Sequence, residues 1–277
     1  MSRATRSGQS SQEAPPAPEP LAVAVADSHC HLDIMGGDVA EQLAQARAVG
    51  IDTVVQGGVD QPSSRLAAQL AVAHESVWAA VALHPNEAGR GVATLEALDE
   101  IAVLAALPQV KAVGETGLDH FRTGPDGHRL QEESFRAHIA IAKQAGKALV
   151  IHNRDAHADV LRVLREEGAP ERVVFHCYSG DAAMARECAD AGYWLSFAGP
   201  ITFKPNDSLR EAAAVCPVER LLVETDAPFL TPMPYRGRPN APYLVPLTVR
   251  TLAAVRGQDV DVLCHALAAN TRAAFHL

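Results

Sequence analysis

The sequence has no long hydrophobic run, few aromatic residues and a deficit of basic residues. Its 277 residues include 24 Lys and Arg against 33 Asp and Glu, and the net charge of −9 excludes a broadly basic nucleic-acid coat protein. No apolar run approaches the roughly 20 residues that a membrane-spanning helix needs. Hydrophobic residues make up 48% of the chain, so the sequence predicts a folded globular protein rather than a disordered one.

Cysteines are also few, and their arrangement favours a reducing compartment. The five cysteines are odd in number and include no Cys-x-x-Cys pair, so they indicate no disulfide framework and we expect a cytoplasmic protein. Residues 1–20 combine Arg, Ser, Gln, Glu and several prolines without the apolar core of a secretory signal. This composition predicts a disordered tail, followed by a single domain over residues 21–277.

After the tail, short apolar runs alternate with Ala- and Leu-rich charged segments, a pattern typical of α/β proteins with a parallel sheet. The eight runs are residues 21–33, 52–58, 77–85, 110–119, 148–156, 172–180, 193–200 and 221–228. Helices are predicted at residues 39–49, 65–75, 95–106, 131–145, 159–167, 182–191, 209–215, 247–255 and 260–269. Eight units of about 32 residues, each the size of a strand plus a crossover helix, favour a closed barrel.

An open, doubly wound sheet is the competing architecture, because hydrophobic periodicity does not distinguish the two. The position of the polar residues favours the barrel. Most of the eight runs pass from apolar residues into His, Asp, Glu, Asn or Arg at their C-terminal ends, which is where barrel enzymes carry their catalytic groups.

The end of the first run carries the most specific local signal. His29 and His31 are two residues apart, so an extended strand directs both imidazoles to one face and Cys30 to the other. A lone histidine is more often a packed or exposed residue. A His-x-His pair at a strand end is more specific, because two nitrogen ligands can hold one divalent metal ion.

Four more strand ends supply groups of the same kind: Glu115, His152, His176 and Asp226. Each carboxylate alone could equally be a helix cap or an ion-pair partner. Closure of a barrel would bring all six side chains together, and four imidazoles with two carboxylates suffice for two metal ions that share a bridging carboxylate. Ions roughly 3.5–4 Å apart could hold both the attacking and the leaving oxygen of a displacement reaction.

Five segments together resemble the TatD family of metal-dependent deoxyribonucleases. They are residues 27–33 (DSHCHLD), 114–119 (GETGLD), 151–156 (IHNRDA), 176–180 (HCYSG) and 224–228 (ETDAP). The resemblance extends from about Ala26 to Phe275, with the segments in the family's order. It implies an α/β fold of the (β/α)8 TIM-barrel type, a two-metal site and hydrolysis of phosphodiester bonds in DNA, often as a 3′–5′ exonuclease.

The resemblance also implies roles for the six residues. His29, His31 and Asp226 would bind one metal ion, His152 and His176 the other, and Glu115 would bridge them. Asp226 is in addition the best candidate to accept a proton from the attacking water. The metal ions are expected to be divalent, with Mg, Mn and Zn all open.

Three neighbouring residues complete the predicted site. His84 resembles the family's His-Pro motif and is expected to donate a hydrogen bond or a proton to a substrate phosphate, although a turn-capping histidine is the alternative. Arg154 suits a bidentate phosphate contact, with an ion pair to Asp119 or Asp155 as the alternative. Asp119 is expected to orient a ligand.

The chain departs from the family pattern in a loop at residues 231–246 that is expected to cover the site. Pro239 and Ala241 stand where the family often has a cation and a carboxylate. The proposed metal ligands are unaffected, so hydrolysis is still expected, while substrate preference and the fit of this loop are open. The sparse aromatic residues are interpreted mostly as core packing, since no interleaving of aromatic and basic residues is visible.

The leading functional hypothesis is therefore a metal-dependent phosphodiesterase. Because the net charge is −9, DNA strand ends are a better substrate than long duplexes. The alternatives are a hydrolase of an amide, lactone or aminoacyl ester at the same site, and a non-enzymatic scaffold in which metal ions are structural. No membrane contact and no obligate protein partner are predicted.

Overall fold

The computed structural model describes residues 13–277 and contains one sheet of eight parallel strands. The strands are β1 (Val25–Cys30), β2 (Ile51–Gly57), β3 (Val77–Val81), β4 (Val110–Asp119), β5 (Ala148–Arg154), β6 (Val173–Phe175), β7 (Trp194–Phe197) and β8 (Leu221–Val223). Each strand pairs in parallel with the next one along the chain. This order, with helices between the strands, confirms the predicted α/β barrel and excludes the open doubly wound sheet, whose strand order reverses.

Helices cover the outside of the sheet. They are α1 (Leu32–Met35), α2 (Val39–Ala48), α3 (Gln61–Ala73), α4 (Pro85–Ala88), α5 (Leu95–Ala105), α6 (Pro125–Ala145), α7 (His157–Glu167), α8 (Ala182–Asp190), α9 (Asp207–Val215), α10 (Val245–Arg256) and α11 (Val260–Phe275). No helix in residues 13–277 combines the length and the hydrophobicity needed to cross a membrane.

Most helices lie where the sequence predicts them, but α11 ends at Phe275, beyond the predicted residue 269. The larger differences at helix starts have local causes. The start of α3 precedes the predicted residue 65 because the Asp60 carboxylate accepts the Ser63 N–H at 2.8 Å and caps the helix. The start of α6 precedes the predicted residue 131 because Pro125 occupies its first turn, where a missing N–H costs nothing. The short helices α1 and α4 were not predicted.

The barrel closes where β1 meets the segment that follows β8. The Asp226 N–H donates to the His29 carbonyl at 2.9 Å, and the His31 N–H donates to the Ala227 carbonyl at 2.7 Å. The Asp27 carboxylate accepts the Thr225 N–H at 2.9 Å. These bonds bring the first and last strand ends together at the C-terminal mouth of the barrel.

Alternate strand residues form two buried layers. Side chains such as Val81, Ile151 and Phe197 pack against the helices in one large cluster. The opposite set forms a smaller cluster of residues from β2 to β8, which also includes Ala274 and Phe275 at the end of α11. This packing uses the two-residue period of the strands, so the position of each strand end is fixed by burial on both faces.

The end of the predicted disordered tail has a defined path. Residues 13–20 have no regular secondary structure but contact the C-terminal part of the chain, whereas residues 1–12 lie outside the described residues. Arg238 Nε donates to the Glu13 carbonyl at 2.8 Å, Tyr243 Oη to the Pro15 carbonyl at 2.7 Å, and an Arg250 guanidinium nitrogen to the Glu19 carbonyl at 2.8 Å. In such a proline-rich extended segment the carbonyls remain free to accept these side-chain donors. The domain boundary at residue 21 stays a prediction.

One buried histidine ties a helix to the strand end that precedes His84. His138 of α6 is fully buried, its Nε2 accepts the Leu83 N–H at 3.0 Å, and its Nδ1 lies 2.7 Å from the Ser134 carbonyl. The ring is therefore neutral, with its proton on Nδ1. Burial lowers the pKa of His138 from 6.5 to about 4, an effect that the Ser134 hydrogen bond only partly offsets.

This lowered pKa predicts a specific loss of stability in mild acid. Between pH 6.5 and about 4 the unfolded chain binds a proton at residue 138 that the folded protein excludes, so the contribution is present above pH 6.5 and is lost as the pH falls. From about pH 7 to about pH 5, the free energy of unfolding of the wild type should fall by about 2 kcal/mol more than that of His138→Gln. Denaturant titrations at both pH values measure the free energy of unfolding of each protein. An equal fall between the two pH values in both proteins would contradict the assignment.

Candidate metal centre

The mouth of the barrel brings together all six predicted metal ligands. They come from five strands and the residues after them: His29 from β1, His31 from the residue after β1, Glu115 from the middle of β4, His152 from β5, His176 from the residue after β6, and Asp226 from the segment after β8. Four of them, His29, His31, Glu115 and His176, are buried, and His152 and Asp226 are partly exposed. The cluster therefore faces the solvent on one side only.

The two oxygens of Glu115 face two different groups of side chains. Oε1 lies 3.6 Å from His29 Nε2 and 3.3 Å from His31 Nε2, and Asp226 Oδ1 lies 3.6 Å from the same His31 nitrogen. This is the grouping predicted for the first metal ion.

The second oxygen of Glu115 faces the other imidazoles. Oε2 lies 2.9 Å from His176 Nε2, 3.2 Å from His152 Nδ1 and 3.4 Å from His84 Nε2. Glu115 thus stands between two sets of donor atoms, as a bridging carboxylate must.

Three of the imidazoles are oriented by an acceptor behind the ring. His31 Nδ1 is 3.0 Å from the Gly57 carbonyl, His152 Nε2 is 3.1 Å from Asp119 Oδ2, and His176 Nδ1 is 3.3 Å from Glu224 Oε1. In a neutral ring the outer nitrogen therefore carries the proton, which leaves the lone pair of the inner nitrogen on the side of Glu115, where a cation can accept it. Lone pairs that converge in this way are the arrangement that metal-binding histidines adopt.

His84 has the opposite orientation. Its Nδ1 accepts the Asn86 N–H at 3.0 Å and caps α4, so the neutral ring carries its proton on Nε2. That N–H points at the cluster, 3.3 Å from His152 Nδ1. His84 is thus both the turn-capping histidine of the alternative interpretation and a hydrogen-bond donor facing the centre.

Burial and proximity shift the pKa values of this cluster. Burial would lower the pKa of His31, but Asp226 and Glu115 outweigh it and raise that pKa from 6.5 to about 10. Burial would raise the pKa of Glu115, but the neighbouring imidazoles His84 and His176 hold it well below 4.5. The pKa of His29 is lowered by burial and by the neighbouring His176. The mouth therefore keeps an ionised, buried carboxylate that attracts cations.

The donor set fits divalent metal ions. Three overlapping groups have candidate ligand atoms that all lie within 4.8 Å of one another: His29 with His31 and Asp226, His29 with Glu115 and His176, and His84 with Glu115 and His152. In the third group His84 has no free lone pair, because its Nδ1 caps α4 and its Nε2 carries the proton. The Nε2 atoms of His29 and His31 are only 3.3 Å apart, a separation at which two lone pairs repel unless a cation or a proton lies between them. A Cβ at Gly57 would approach His29 Cε1 to 2.7 Å, so glycine is needed to let the two rings pack there.

Asp119 and Arg154, which are predicted to surround the ligands, differ in their contacts. Asp119 holds His152 through Oδ2, and its Oδ1 accepts the backbone N–H groups of Phe121 and Arg122 at 3.0 and 2.7 Å. His152 and the Arg122 N–H hold the pKa of Asp119 below its usual range despite burial. Arg154 makes no ion pair with Asp119 or Asp155. Its guanidinium lies 3.9 Å from the ring centre of Phe121.

Two functional-site residues were not singled out from the sequence. Glu224 is fully buried, and besides facing His176 it accepts the Cys177 N–H at 2.7 Å. Asp27 accepts the N–H and, at 2.5 Å, the hydroxyl of Thr225, and burial raises its pKa to about 8. The signal that could have identified them is a carboxylate inside or directly after a buried strand. Such a carboxylate is buried only when it is paired with a donor, so it indicates a structural or orienting role.

The loop predicted to cover the site ends at Ala241, because a 3-10 helix (Pro242–Leu244) and then α10 follow, and it contacts the strand end that carries Asp226. Asn240 is buried, and its amide donates to the Thr225 and Phe229 carbonyls at 2.9 and 2.5 Å. The Arg236 guanidinium lies 4.3 Å from the ring centre of Phe203. Pro239 and Ala241 flank Asn240, so the departures from the family pattern do not prevent this attachment.

A family model described as TatD related DNase matches residues 26–276. The chain belongs to the TatD family of metal-dependent hydrolases. The TatD protein of Mycobacterium tuberculosis, described as an uncharacterised metal-dependent hydrolase, is 46% identical over 259 residues, or 91% of this chain and 97% of that protein. A TatD-family relative from Klebsiella pneumoniae, named 3′-5′ ssDNA/RNA exonuclease TatD, is 34% identical over 246 residues, or 86% and 92% of the two chains.

A solved structure agrees with this assignment. The crystal structure of YJJV, a TatD homologue from Escherichia coli K12, superimposes with a TM-score of 0.86 at 26% identity, covering 91% of this chain and 98% of that one. The resemblance predicted from the five sequence segments is therefore confirmed at the level of family and fold. Residues 13–25, which include the segment against Arg238 and Arg250, lie outside the family match.

The Glu224 contact to His176 predicts an effect on metal affinity in this TatD-family protein. Glu224→Gln preserves the size of the side chain but removes the charge that holds the His176 N–H, so we expect divalent-metal affinity to fall about 10–100-fold. Isothermal titration calorimetry with Mn²⁺ measures this affinity. Glu219→Gln, at an exposed carboxylate five positions earlier, is the matched control and should bind like the wild type. Equal affinities in both variants would show that Glu224 does not orient a ligand.

Proposed function

We propose that this protein hydrolyses phosphodiester bonds at the ends of DNA strands, as a 3′–5′ exonuclease that uses two divalent metal ions. One observation carries the proposal: the two oxygens of Glu115 face two separate groups of imidazoles. A carboxylate in this position is suited to bridge two ions. The Klebsiella relative, named for 3′-5′ exonuclease activity on ssDNA and RNA, supports the substrate class.

The proposed ligands are the six residues of the cluster. His29, His31 and Asp226 would hold one ion, His152 and His176 the other, and Glu115 would contribute one oxygen to each. Ions bound there would neutralise the charge of a phosphodiester and make a water molecule more acidic. Mg²⁺, Mn²⁺ and Zn²⁺ are all compatible with this mixture of imidazole and carboxylate donors.

The chain's own residues supply proton transfer and substrate orientation. The partly exposed Asp226 carboxylate lies beside the cluster and would accept the proton of the attacking water. His84 would donate its Nε2 proton, as a hydrogen bond or in full, to a phosphate oxygen or to the departing oxygen of the strand. Arg154 is exposed and without an ion-pair partner among the described residues, so its remaining N–H groups can bind a neighbouring phosphate.

The net charge bears on the proposed substrate, and the cysteines bear on the proposed location. A net charge of −9 disfavours tight binding of long duplexes, because phosphate neutralisation supplies most of that affinity. A short strand end needs only local contacts at the mouth. All five cysteines are free, which is consistent with the cytoplasmic location that we propose.

The proposal predicts metal-dependent shortening of a labelled strand. With Mg²⁺ or Mn²⁺, a 5′-labelled single-stranded oligonucleotide should be degraded stepwise from its 3′ end, and a chelator should abolish the reaction. Asp226→Asn should reduce kcat by at least about 10²–10⁴-fold, because it removes the proton acceptor and a metal ligand. Asp190→Asn, at an exposed position on α8, is the control and should retain full activity.

Two results would replace this proposal. Hydrolysis of an amide, lactone or aminoacyl ester in a parallel substrate panel, with no cleavage of any oligonucleotide, would identify a hydrolase of another bond. Metal removal that lowers the melting temperature while no substrate is turned over would indicate a structural role for the ions.

A further inference from the structure

The mouth of the barrel exposes two large aromatic side chains beside the metal centre. Phe121 follows β4 and is 62% exposed, and Phe229 follows β8 and is 50% exposed. Elsewhere in the chain, phenylalanines are buried in the core, as Phe135, Phe175, Phe197 and Phe275 are. Burying a phenylalanine is favourable, so two rings left open at one mouth indicate a surface that a ligand covers.

Phe121 is held rigidly at the end of the centre that contains His152. Its backbone N–H donates to Asp119 Oδ1 at 3.0 Å, and Oδ2 of the same carboxylate holds His152 at 3.1 Å. The guanidinium of Arg154 lies 3.9 Å from the ring centre and supports the ring. One carboxylate therefore fixes both a proposed metal ligand and an exposed aromatic surface with a cation attached to it.

Phe229 is held at the opposite end of the centre. Its ring packs edge-on against His31, with 6.2 Å between ring centroids and 70° between the planes. Its backbone is fixed on both sides, since its N–H donates to the Asp226 carbonyl at 2.9 Å and its carbonyl accepts the Asn240 amide at 2.5 Å. His31 faces Oε1 of Glu115 and His152 faces Oε2, so the two rings lie at the two ends of the carboxylate bridge.

We propose that Phe121, supported by Arg154, and Phe229 are stacking sites for the two nucleobases on either side of the phosphodiester bond. The inference rests on the proposed function, because it requires that bond to lie over the metal centre. Aromatic rings stack on the faces of unpaired bases of any sequence, whereas the bases of a duplex present their faces to one another. The two sites therefore select unpaired strand ends, and the Arg154 guanidinium remains beside the backbone phosphate.

Kinetics on a matched pair of substrates test the proposal. One is a single-stranded oligonucleotide, and the other is the same strand with tetrahydrofuran abasic residues at its last two 3′ positions. Phe121→Leu and Phe229→Leu keep an apolar side chain but cannot stack, so each should lower kcat/KM on the base-bearing strand by about 5–150-fold, mainly through KM. Neither should change kcat/KM on the abasic strand more than about twofold.

Control variants separate stacking from folding and from general hydrophobicity. Phe121→Tyr and Phe229→Tyr preserve a stacking ring and should retain the wild-type preference for the base-bearing strand. Val103→Ala changes an exposed apolar residue of α5 and should leave both rates unchanged. Wild-type melting temperatures in the leucine variants would show that the fold is intact.

A binding measurement reads the stacking without hydrolysis. In the Asp226→Asn background with Mn²⁺, oligonucleotides with 2-aminopurine at the last or at the next-to-last 3′ position should both lose fluorescence on binding. The additional Phe121→Leu change should restore the fluorescence of one probe and the additional Phe229→Leu change that of the other. Absence of quenching in the parent variant, or leucine variants that lose the same factor on both strands, would overturn the stacking sites while leaving the nuclease proposal intact. Failure of the wild type to cut either strand would instead overturn the nuclease proposal, and quenching alone would then decide whether the rings bind bases.

Discussion

The organisation of this molecule depends on one buried carboxylate, Glu115, whose two oxygens each face a different group of imidazoles. An ionised carboxylate at this depth is stable only where positive charge or hydrogen-bond donors surround it. The barrel provides that surrounding by joining its first and last strand ends through the backbone of His29, His31 and Asp226. Asp226 itself has a φ of 54°, a left-handed conformation that non-glycine residues rarely adopt, and the closure bonds hold it there. The fold is therefore inseparable from the geometry of the site.

The hydrogen-bond partner behind each histidine ring determines whether the ring presents a lone pair or a proton to the centre. Three imidazoles bind an acceptor behind the ring, so their neutral forms present a lone pair to the centre, whereas His84 accepts a backbone N–H and its neutral form presents a proton. The histidines thus divide into candidate cation ligands and a hydrogen-bond donor. This division agrees with the proposed function, in which the centre binds metal ions and donates to an anionic substrate. Outside the centre, the segment at residues 13–20 contacts Arg238 of the loop at residues 231–246.

Much of this arrangement could be predicted from the sequence because it follows from periodicity. Polar residues at the ends of eight parallel strands converge whenever those strands close into a barrel, which is why the six candidate ligands were identified correctly as neighbours.

What periodicity does not encode is the direction of each hydrogen bond. The tautomer of His84 depends on a turn at Asn86, and the orienting role of Glu224 depends on His176, 48 residues earlier. Phe121 and Arg154 are separated by 33 positions, so no local interleaving of aromatic and basic residues revealed their contact. The starts of α3 and α6 differ from the prediction because a cap or a proline, rather than hydrophobic spacing, sets the first turn.

The central claim is that Glu115 bridges two divalent metal ions at the mouth of the barrel. Anomalous diffraction at the manganese absorption edge, from crystals grown with Mn²⁺, tests it most directly. The account predicts two peaks roughly 3.5–4 Å apart, one beside Oε1 with His29, His31 and Asp226, the other beside Oε2 with His152 and His176. A single peak, or peaks that Glu115 does not contact, would contradict it.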